Sequence, residues 1–258
     1  MNLNILSSQY LSQFTEILEE SPIKILNVSQ KEELPVDYFQ FYNSVSSVYS
    51  SKIEGENIDF DSYFKHKFLN VTFKPDYTQK ADDLFTAYEF IESNSLTLKH
   101  VQDTHSILTS NLLPKSQRGQ IRTNPMFVIN SEDRIDYIAA RPELVENELH
   151  ALFEDIESLL KTSLNDFEIF YYASFIHLVF VKIHPMQDGN GRTARLLEKW
   201  FLLEKLGKKA TSIPLEKNYY QHLDKYYQNL KKLGIDYDEL DYSKAIDFLL
   251  MTTQGLSS

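Results

Sequence analysis

The stretch His184-Pro-Met-Gln-Asp-Gly-Asn-Gly-Arg-Thr-Ala-Arg195 constrains this chain more than any other. Only seven glycines occur in 258 residues, and Gly189 and Gly191 flank a single asparagine where one long apolar segment ends and another periodic segment begins. Backbone freedom is therefore concentrated at a junction between two regular elements. A junction of this kind suits a loop that wraps an anion.

Both flanks read as helices. Asn165 with Glu168 three residues on has the form of a capping pair, and Ile169 to Val181 is almost wholly apolar, which predicts a buried helix over 165–183. Interrupted by Ser174 and His177, that run is too short to cross a bilayer, which takes about 20 residues. Pro185 stops it. The second helix is expected from Asn190 or Gly191 to Leu206, with Leu196, Leu197, Trp200, Phe201, Leu203 and Leu206 at helical spacing and Gly207-Lys-Lys at its end.

Arg192 and Arg195, three apart, share one face near the start of this second helix. Unpaired first-turn amides, the positive end of a helix dipole and two guanidinium forks together suit a polyphosphate. Asp188 adds the hard oxygen ligand that a phosphate-bound Mg2+ uses while keeping most of its waters. His184 adds the side chain whose ordinary pKa lies near neutrality. These are the parts that a transfer from a nucleoside triphosphate requires.

Other readings of the stretch fit less well. Asp-Gly and Asn-Gly can make hairpin turns, but the flanks have helical period and not strand alternation. A calcium loop starting at Asp188 would need an oxygen ligand, Gly and Glu where Arg192, Thr193 and Lys199 stand. The P-loop pattern is absent.

Composition narrows the function class. With 37 acidic against 26 basic residues the formal charge is -11, which argues against general nucleic-acid binding, since that needs a basic footprint. No cysteine is present, so disulfides and thiolate metal sites are excluded. No signal peptide or membrane span is read, and a soluble cytoplasmic protein is the default.

Along the rest of the chain, residues 8–20 predict a short amphipathic helix and 23–33 an irregular or weakly extended connector. Residues 36–55 predict a helix with Phe39, Tyr42, Val45, Tyr49 and Ile53 on one stripe and Gly55 at its end. Ser50 and Glu54, four apart, share a neighbouring face. A carboxylate in a last turn opposes the dipole by about 0.3–1 kcal/mol, so Glu54 is a solvated acid or has a cationic partner. Residues 59–70 are an aromatic-rich packing segment, and 79–93 and 96–112 predict further helices. His100 and His105, five apart, cannot share a metal on one helix face and read as surface or packing residues. Short extended runs at 126–130 and 135–139 surround a turn-like Ser-Glu-Asp-Arg and predict a hairpin. Residues 143–160 predict an amphipathic helix whose acids form a solvated face. His177 reads as a hydrogen-bonded core histidine. Residues 216–233 predict one helix in which Tyr219, Tyr220, Tyr226 and Tyr227 serve packing before any stacking on a nucleobase, and 241–251 a last short helix. The expected fold class is all-α with a small hairpin.

The stretch His184–Arg195 resembles the signature of the Fic family, usually written H-x-F-x-(D/E)-G-N-G-R-x-x-R, at His184, Asp188, Gly189, Asn190, Gly191, Arg192 and Arg195. Met186 stands where phenylalanine is usual. Further upstream, Ser50-Ser-Lys-Ile-Glu54-Gly55 is similar to the inhibitory motif (S/T)-x-x-x-E-(G/N) of one class of Fic proteins.

The resemblance implies a helical Fic bundle with a β-hairpin flap and transfer of AMP from ATP to a Ser, Thr or Tyr hydroxyl of a protein target, with this chain itself among the candidates. It casts His184 as general base, Asp188 as the Mg2+ ligand and Gly189, Asn190 and Gly191 as the phosphate cradle. Arg192 would neutralise the β-phosphate and Arg195 grip the γ-phosphate. Ser50 and Glu54 are the inhibitory pair, with Glu54 holding Arg195 away from ATP, because a guanidinium held by carboxylate cannot clamp phosphate as well. The flap residues Val128, Ile129, Asn130 and Tyr137 would align a target segment by strand addition. The resemblance divides the chain into an N-terminal segment with the inhibitory helix (1–70), a core domain (71–235) and a C-terminal helix (236–258). No DNA-binding or membrane partner is expected, and a homodimer is open. The same site run in reverse, as a hydrolase that strips AMP from a modified target, and a non-catalytic nucleotide- or protein-binding module are the alternatives.

Overall fold

The structure, a computed structural model, describes residues 3–29, 37–130 and 132–257. The elements run α1 (Leu11–Ile17), α2 (Pro22–Ser29), α3 (Tyr38–Ile53), α4 (Phe60–Leu69), α5 (Pro75–Ser93) and α6 (Leu98–Leu108). The hairpin β1 (Phe127–Ile129) and β2 (Ile135–Ile138) follows, then α7 (Pro142–Lys161), α8 (Asp166–Ile183), α9 (Asn190–Leu206), α10 (Leu215–Gln221) and α11 (Leu223–Lys232). Two short helices, α12 (Ile246–Leu249) and α13 (Met251–Gln254), lie near the end. The fold is all-α with one small antiparallel hairpin, as expected.

α8 is the axis of the bundle. It forms because Asn165 and Glu168 make a complete capping box, each side chain bonding the other's backbone N–H, and because a helix apolar on all sides is stable only when buried on all sides. It packs against α9, α7, α1 and α12, and Phe170, Tyr171, Ala173, Ile176, Leu178, Val179, Phe180 and Ile183 are fully buried. α9 lies along α8 and fills its other side with α6 and α5. α3 sits outside α9, packed on α5 and α10. Buried polar bonds pin it there: Ser46 Oγ donates to Glu216 (2.9 Å), and the Asn43 amide to Glu92.

Three expectations need correction. Residues 23–29 are not a connector but the body of α2, started by Pro22 at its first position and carrying Ile23, Ile25 and Leu26 onto the main core; residues 30–33 lie outside the described residues, as does Val36 at the predicted start of α3. The single helix predicted over 216–233 is two, because the chain leaves helical geometry at His222 (φ -119°, ψ 39°), whose ring folds back on the Asn218 carbonyl (3.1 Å). The acids of α7 are not all solvated. Asp155 is 1 % exposed and its carboxylate accepts the backbone N–H groups of Asn4 (2.6 Å), Ile5 (2.9 Å) and Leu6 (2.8 Å).

That carboxylate ties the N-terminal strand of chain to α7, with the Tyr171 hydroxyl donating to the Ser7 carbonyl (2.7 Å) beside it. Hydrogen bonds to a charged acceptor contribute more than neutral ones, so Asp155→Ala is expected to lower unfolding free energy by about 2–3 kcal/mol. Urea unfolding measures this, and hydrogen exchange at residues 4–6 should accelerate in the variant. An unchanged midpoint would refute the tie.

Candidate active site

The junction between α8 and α9 is an irregular loop with Pro185, Met186 and Gly189 buried, so its backbone groups need partners. Three side chains supply them. Arg122, 4 % exposed, donates from Nε to the His184 carbonyl (2.7 Å), from Nη1 to Asn124 (2.8 Å) and from Nη2 to Ala140 and Ile183. Its own N–H donates to the Pro185 carbonyl (2.9 Å), and Ile121 bridges Met186. Asn190 turns its amide back on Met186, accepting that residue's N–H (2.8 Å) and donating to its carbonyl (2.9 Å).

The third brace is His105, which is fully buried. Its Nδ1 accepts the Gly119 N–H (2.8 Å), so the proton sits on Nε2 and is donated to the Asp188 carbonyl (2.8 Å). Burial pushes its pKa down and keeps the ring neutral. Read from sequence as a surface or packing residue, His105 instead supports the loop; His100 is the one at the surface. Met186 is fully buried, filling the position usually held by phenylalanine.

His184 caps α8 in the left-handed region (φ 54°, ψ 57°), a conformation in which histidine is enriched among non-glycine residues. Its Nδ1 faces the Val181 carbonyl (3.3 Å). A carbonyl only accepts, so the proton is on Nδ1 and Nε2 carries the lone pair. Burial lowers its pKa to about 4; the Val181 carbonyl, Asp188 and Glu54 work the other way, and the Arg122 charge adds to the lowering. The imidazole is a neutral base throughout the physiological range.

α9 begins at Asn190 after Gly189, whose φ of 75° makes glycine the natural residue there; a Cβ at 189 would also lie 2.9 Å from the Thr109 methyl. As at any helix start, the amides of Asn190, Gly191 and Arg192 have no carbonyl within the helix. Gly191 lies against the Glu54 side chain, and a Cβ there would sit 2.7 Å from Glu54 Oε1.

Both arginines are buried and incompletely satisfied. Arg195 donates from Nε to Ser50 Oγ (3.0 Å) and from Nη2 to the Ser50 carbonyl (3.2 Å) and Glu54 Oε1 (2.6 Å). Its Nη1 and the Nε of Arg192 are buried with no hydrogen-bond partner. Burial alone would raise the Glu54 carboxyl, but the charges of Arg195 and Arg192 outweigh it and hold the group below its ordinary value. Glu56, which sequence reasoning missed, stands 3.6 Å from Arg192 Nη2 and also pairs with Lys80 (2.5 Å). The segment after α3 thus presents one carboxylate to each arginine.

A cavity of about 680 Å3 opens beside this centre, lined by Glu54, His184, Gly191, Arg195 and, from the hairpin, Val128, Ile129 and Tyr137. Asp188 is exposed and lies outside that wall, with Oδ1 accepting the Gly189 N–H (2.6 Å). No cluster of three metal-ligating acids or histidines exists among the described residues. A lone exposed carboxylate is compatible with a Mg2+ that takes its other ligands from phosphates and water.

The hairpin pairs Phe127 with Ile138, Val128 with Tyr137 and Ile129 with Ile135, with a bulge between Val128 and Ile129. Residues 235–236 cover the outer edge of β2, where the Ile138 N–H donates to the Ile235 carbonyl (2.7 Å). Asn130 shapes the turn: its Oδ1 accepts the N–H groups of Glu132 and Arg134, and its Nδ2 donates to Asp136. Tyr137 is 7 % exposed, donates its hydroxyl to the Lys182 carbonyl (2.6 Å), and carries the Lys182 ammonium over its ring (4.2 Å). Burial lowers that lysine's pKa to about 8.

A neutral histidine, a helix start with unfilled arginine donors and an apolar strand thus lie around one cavity. Residues 95–202 match the Fic/DOC family. The protein adenylyltransferase Fic of Nematostella vectensis is 30 % identical over 112 residues, 43 % of this chain and 24 % of that protein, so the match spans about a quarter of the relative's length. A Fic family protein from Desulfovibrio desulfuricans superposes with a TM-score of 0.76 at 17 % identity, covering 100 % of this chain and 74 % of that one. For Fic-1 of C. elegans the TM-score is 0.67 at 16 % identity, covering 97 % and 70 %. The chain thus carries a Fic/DOC family domain, and its fold is the Fic fold.

The depressed pKa of His184 has a signed consequence. The unfolded chain binds a proton on this side chain near pH 6.5 and the folded chain only near 4, so acidification between those values favours unfolding. An NMR titration should find the His184 ring neutral until the pH approaches about 4, and His184→Gln should reduce the loss of stability across that window. A ring that titrates at the ordinary value would contradict the burial described here.

Proposed function

We propose that this protein is an adenylyltransferase that moves AMP from ATP to a hydroxyl of a protein target. The observation that carries the reading is the pair of buried guanidinium donors without protein acceptors at the start of α9, with His184 and Arg195 lining one cavity. Buried donors without protein acceptors are rare, and an anion would satisfy these two. The named activity of the Nematostella relative supports ATP as that anion.

The chemistry follows from the side chains. An acceptor hydroxyl loses its proton to His184 Nε2 while its oxygen bonds the α-phosphorus; the bond from that phosphorus to the bridging oxygen breaks, and pyrophosphate leaves. The first-turn amides of Asn190, Gly191 and Arg192 would neutralise phosphate oxygens, with Arg192 on the β-phosphate and Arg195 on the γ-phosphate. Gly189 and the side chain of Asn190 keep that cradle in shape. Asp188 would hold Mg2+, which supplies charge neutralisation on the phosphates. The free edge of β1, with Val128 and Ile129 toward the cavity, would align the target's backbone by strand addition.

In the same reading, the state described is inhibited. Glu54 occupies Arg195 through Nη2 and crowds Gly191, so the γ-phosphate has no place until that carboxylate turns away. The reverse reaction, removal of AMP from a modified target by water, remains the second reading because Glu54 faces the same cavity as His184.

His184→Ala is expected to reduce transfer of label from α-labelled ATP by about 100-fold or more while ATP binding persists. Undiminished transfer removes the assigned base. Glu54→Gly should raise both ATP affinity and self-modification, read by calorimetry and intact-protein mass. Release of AMP from a pre-modified target, lost in Glu54→Gly, would instead favour the hydrolase.

A further inference from the structure

Behind Arg195, away from α3, a chain of buried polar groups runs through the core. Glu198, one turn after Arg195 on α9, is fully buried. Its carboxylate accepts the Tyr219 hydroxyl (2.9 and 3.0 Å), the Thr252 hydroxyl and His177 Nδ1 (2.7 Å). His177, also fully buried, meets the Tyr226 hydroxyl through Nε2 (3.0 Å). Tyr226 is 1 % exposed and lines the same cavity wall as Arg195, whose charge acts on its hydroxyl.

The protons in this chain have one consistent order. Burial keeps His177 neutral, so it holds a single ring proton. That proton lies on Nδ1, because the neighbouring carboxylate can only accept. Nε2 is then a bare lone pair, and Tyr226 must donate its O–H to it. The tyrosine oxygen is left with lone pairs alone, which suits a cation and repels an anion. Without His177 the hydroxyl could rotate and present its proton to the guanidinium.

We infer that Tyr226, its proton held by the His177–Glu198 pair, is the positioning residue that keeps Arg195 aimed at the terminal phosphate once Glu54 has turned away. The inference rests on the nucleotide reading above. In the inhibited state Glu54 fixes the guanidinium through Nη2. After its departure, Ser50 on one side and Tyr226 on the core side are what remain. Sequence reasoning took His177 and the tyrosines for packing residues; they do pack, but the packing is wired to the phosphate clamp.

The test uses the full chain carrying Glu54→Gly and compares binding of ATP with that of ADP, which lacks the terminal phosphate, in the presence of Mg2+. Tyr226→Phe should lower the preference for ATP over ADP about tenfold, leaving ADP affinity unchanged. His177→Gln, whose amide can accept from Tyr226 and donate to Glu198, should keep the preference, whereas His177→Leu should lose it. This pair reads the chain even where Tyr226→Phe folds poorly. An unchanged ATP-to-ADP ratio in Tyr226→Phe or in His177→Leu overturns the inference alone. Failure of the Glu54→Gly parent to bind either nucleotide overturns the nucleotide reading together with it.

Discussion

An irregular loop between two core helices is admissible only if every carbonyl and amide it buries finds a partner, and the α8–α9 junction meets that condition with side chains from elsewhere. Arg122 gathers the carbonyls around His184, His105 takes that of Asp188, and Asn190 closes the loop on Met186. The geometry of the candidate site is a by-product of this satisfaction. The amides of the first turn of α9, like those of any helix start, have no carbonyl within the helix.

α9 shows how much charge a core helix can carry under the same rule. Arg192, Arg195, Glu198 and Lys199 are all buried on it, at a desolvation cost that a single unpaired charge would not survive. Each is answered from outside α9: Arg195 and Arg192 from Glu54 and Glu56 in the segment after α3, Glu198 from α8, α10 and α13, and Lys199 from Glu216 on α10 (3.5 Å). The charges of α9 thereby specify which helices surround it. α10 in turn carries Glu216 to Ser46 and Tyr88, which binds α3 and α5 into the same arrangement.

What could be read from the amino-acid order was what is local in it. The capping box of α8, the glycine pair, the two arginines one turn apart and the alternating run of the hairpin are each settled within a dozen residues. His105, Arg122 and Glu56 were not visible, because their significance lies in partners 83, 62 and 136 residues away, and neither spacing nor composition records such pairings. The same holds for Asp155, whose place among the acids of an amphipathic helix gives no sign of the backbone amides it receives from the chain's beginning. α2 was overlooked because it is a short run after a proline in a stretch rich in β-branched residues, where tertiary burial of Ile23, Ile25 and Leu26 decides the matter and propensity does not. Tyr226 and His177 were seen but assigned only bulk.

α3 is fastened along its length, by Asn43 to α5 and by Ser46 to α10, and Glu54 comes immediately after its last residue, followed by Gly55 at a φ of 85°. On the proposed reading, disengagement then involves rotation about the few torsions of one side chain and not the swing of a helix. Idle and working forms of such a protein would share a single silhouette, indistinguishable in hydrodynamic radius or scattering profile and separable only by probes that watch one carboxylate.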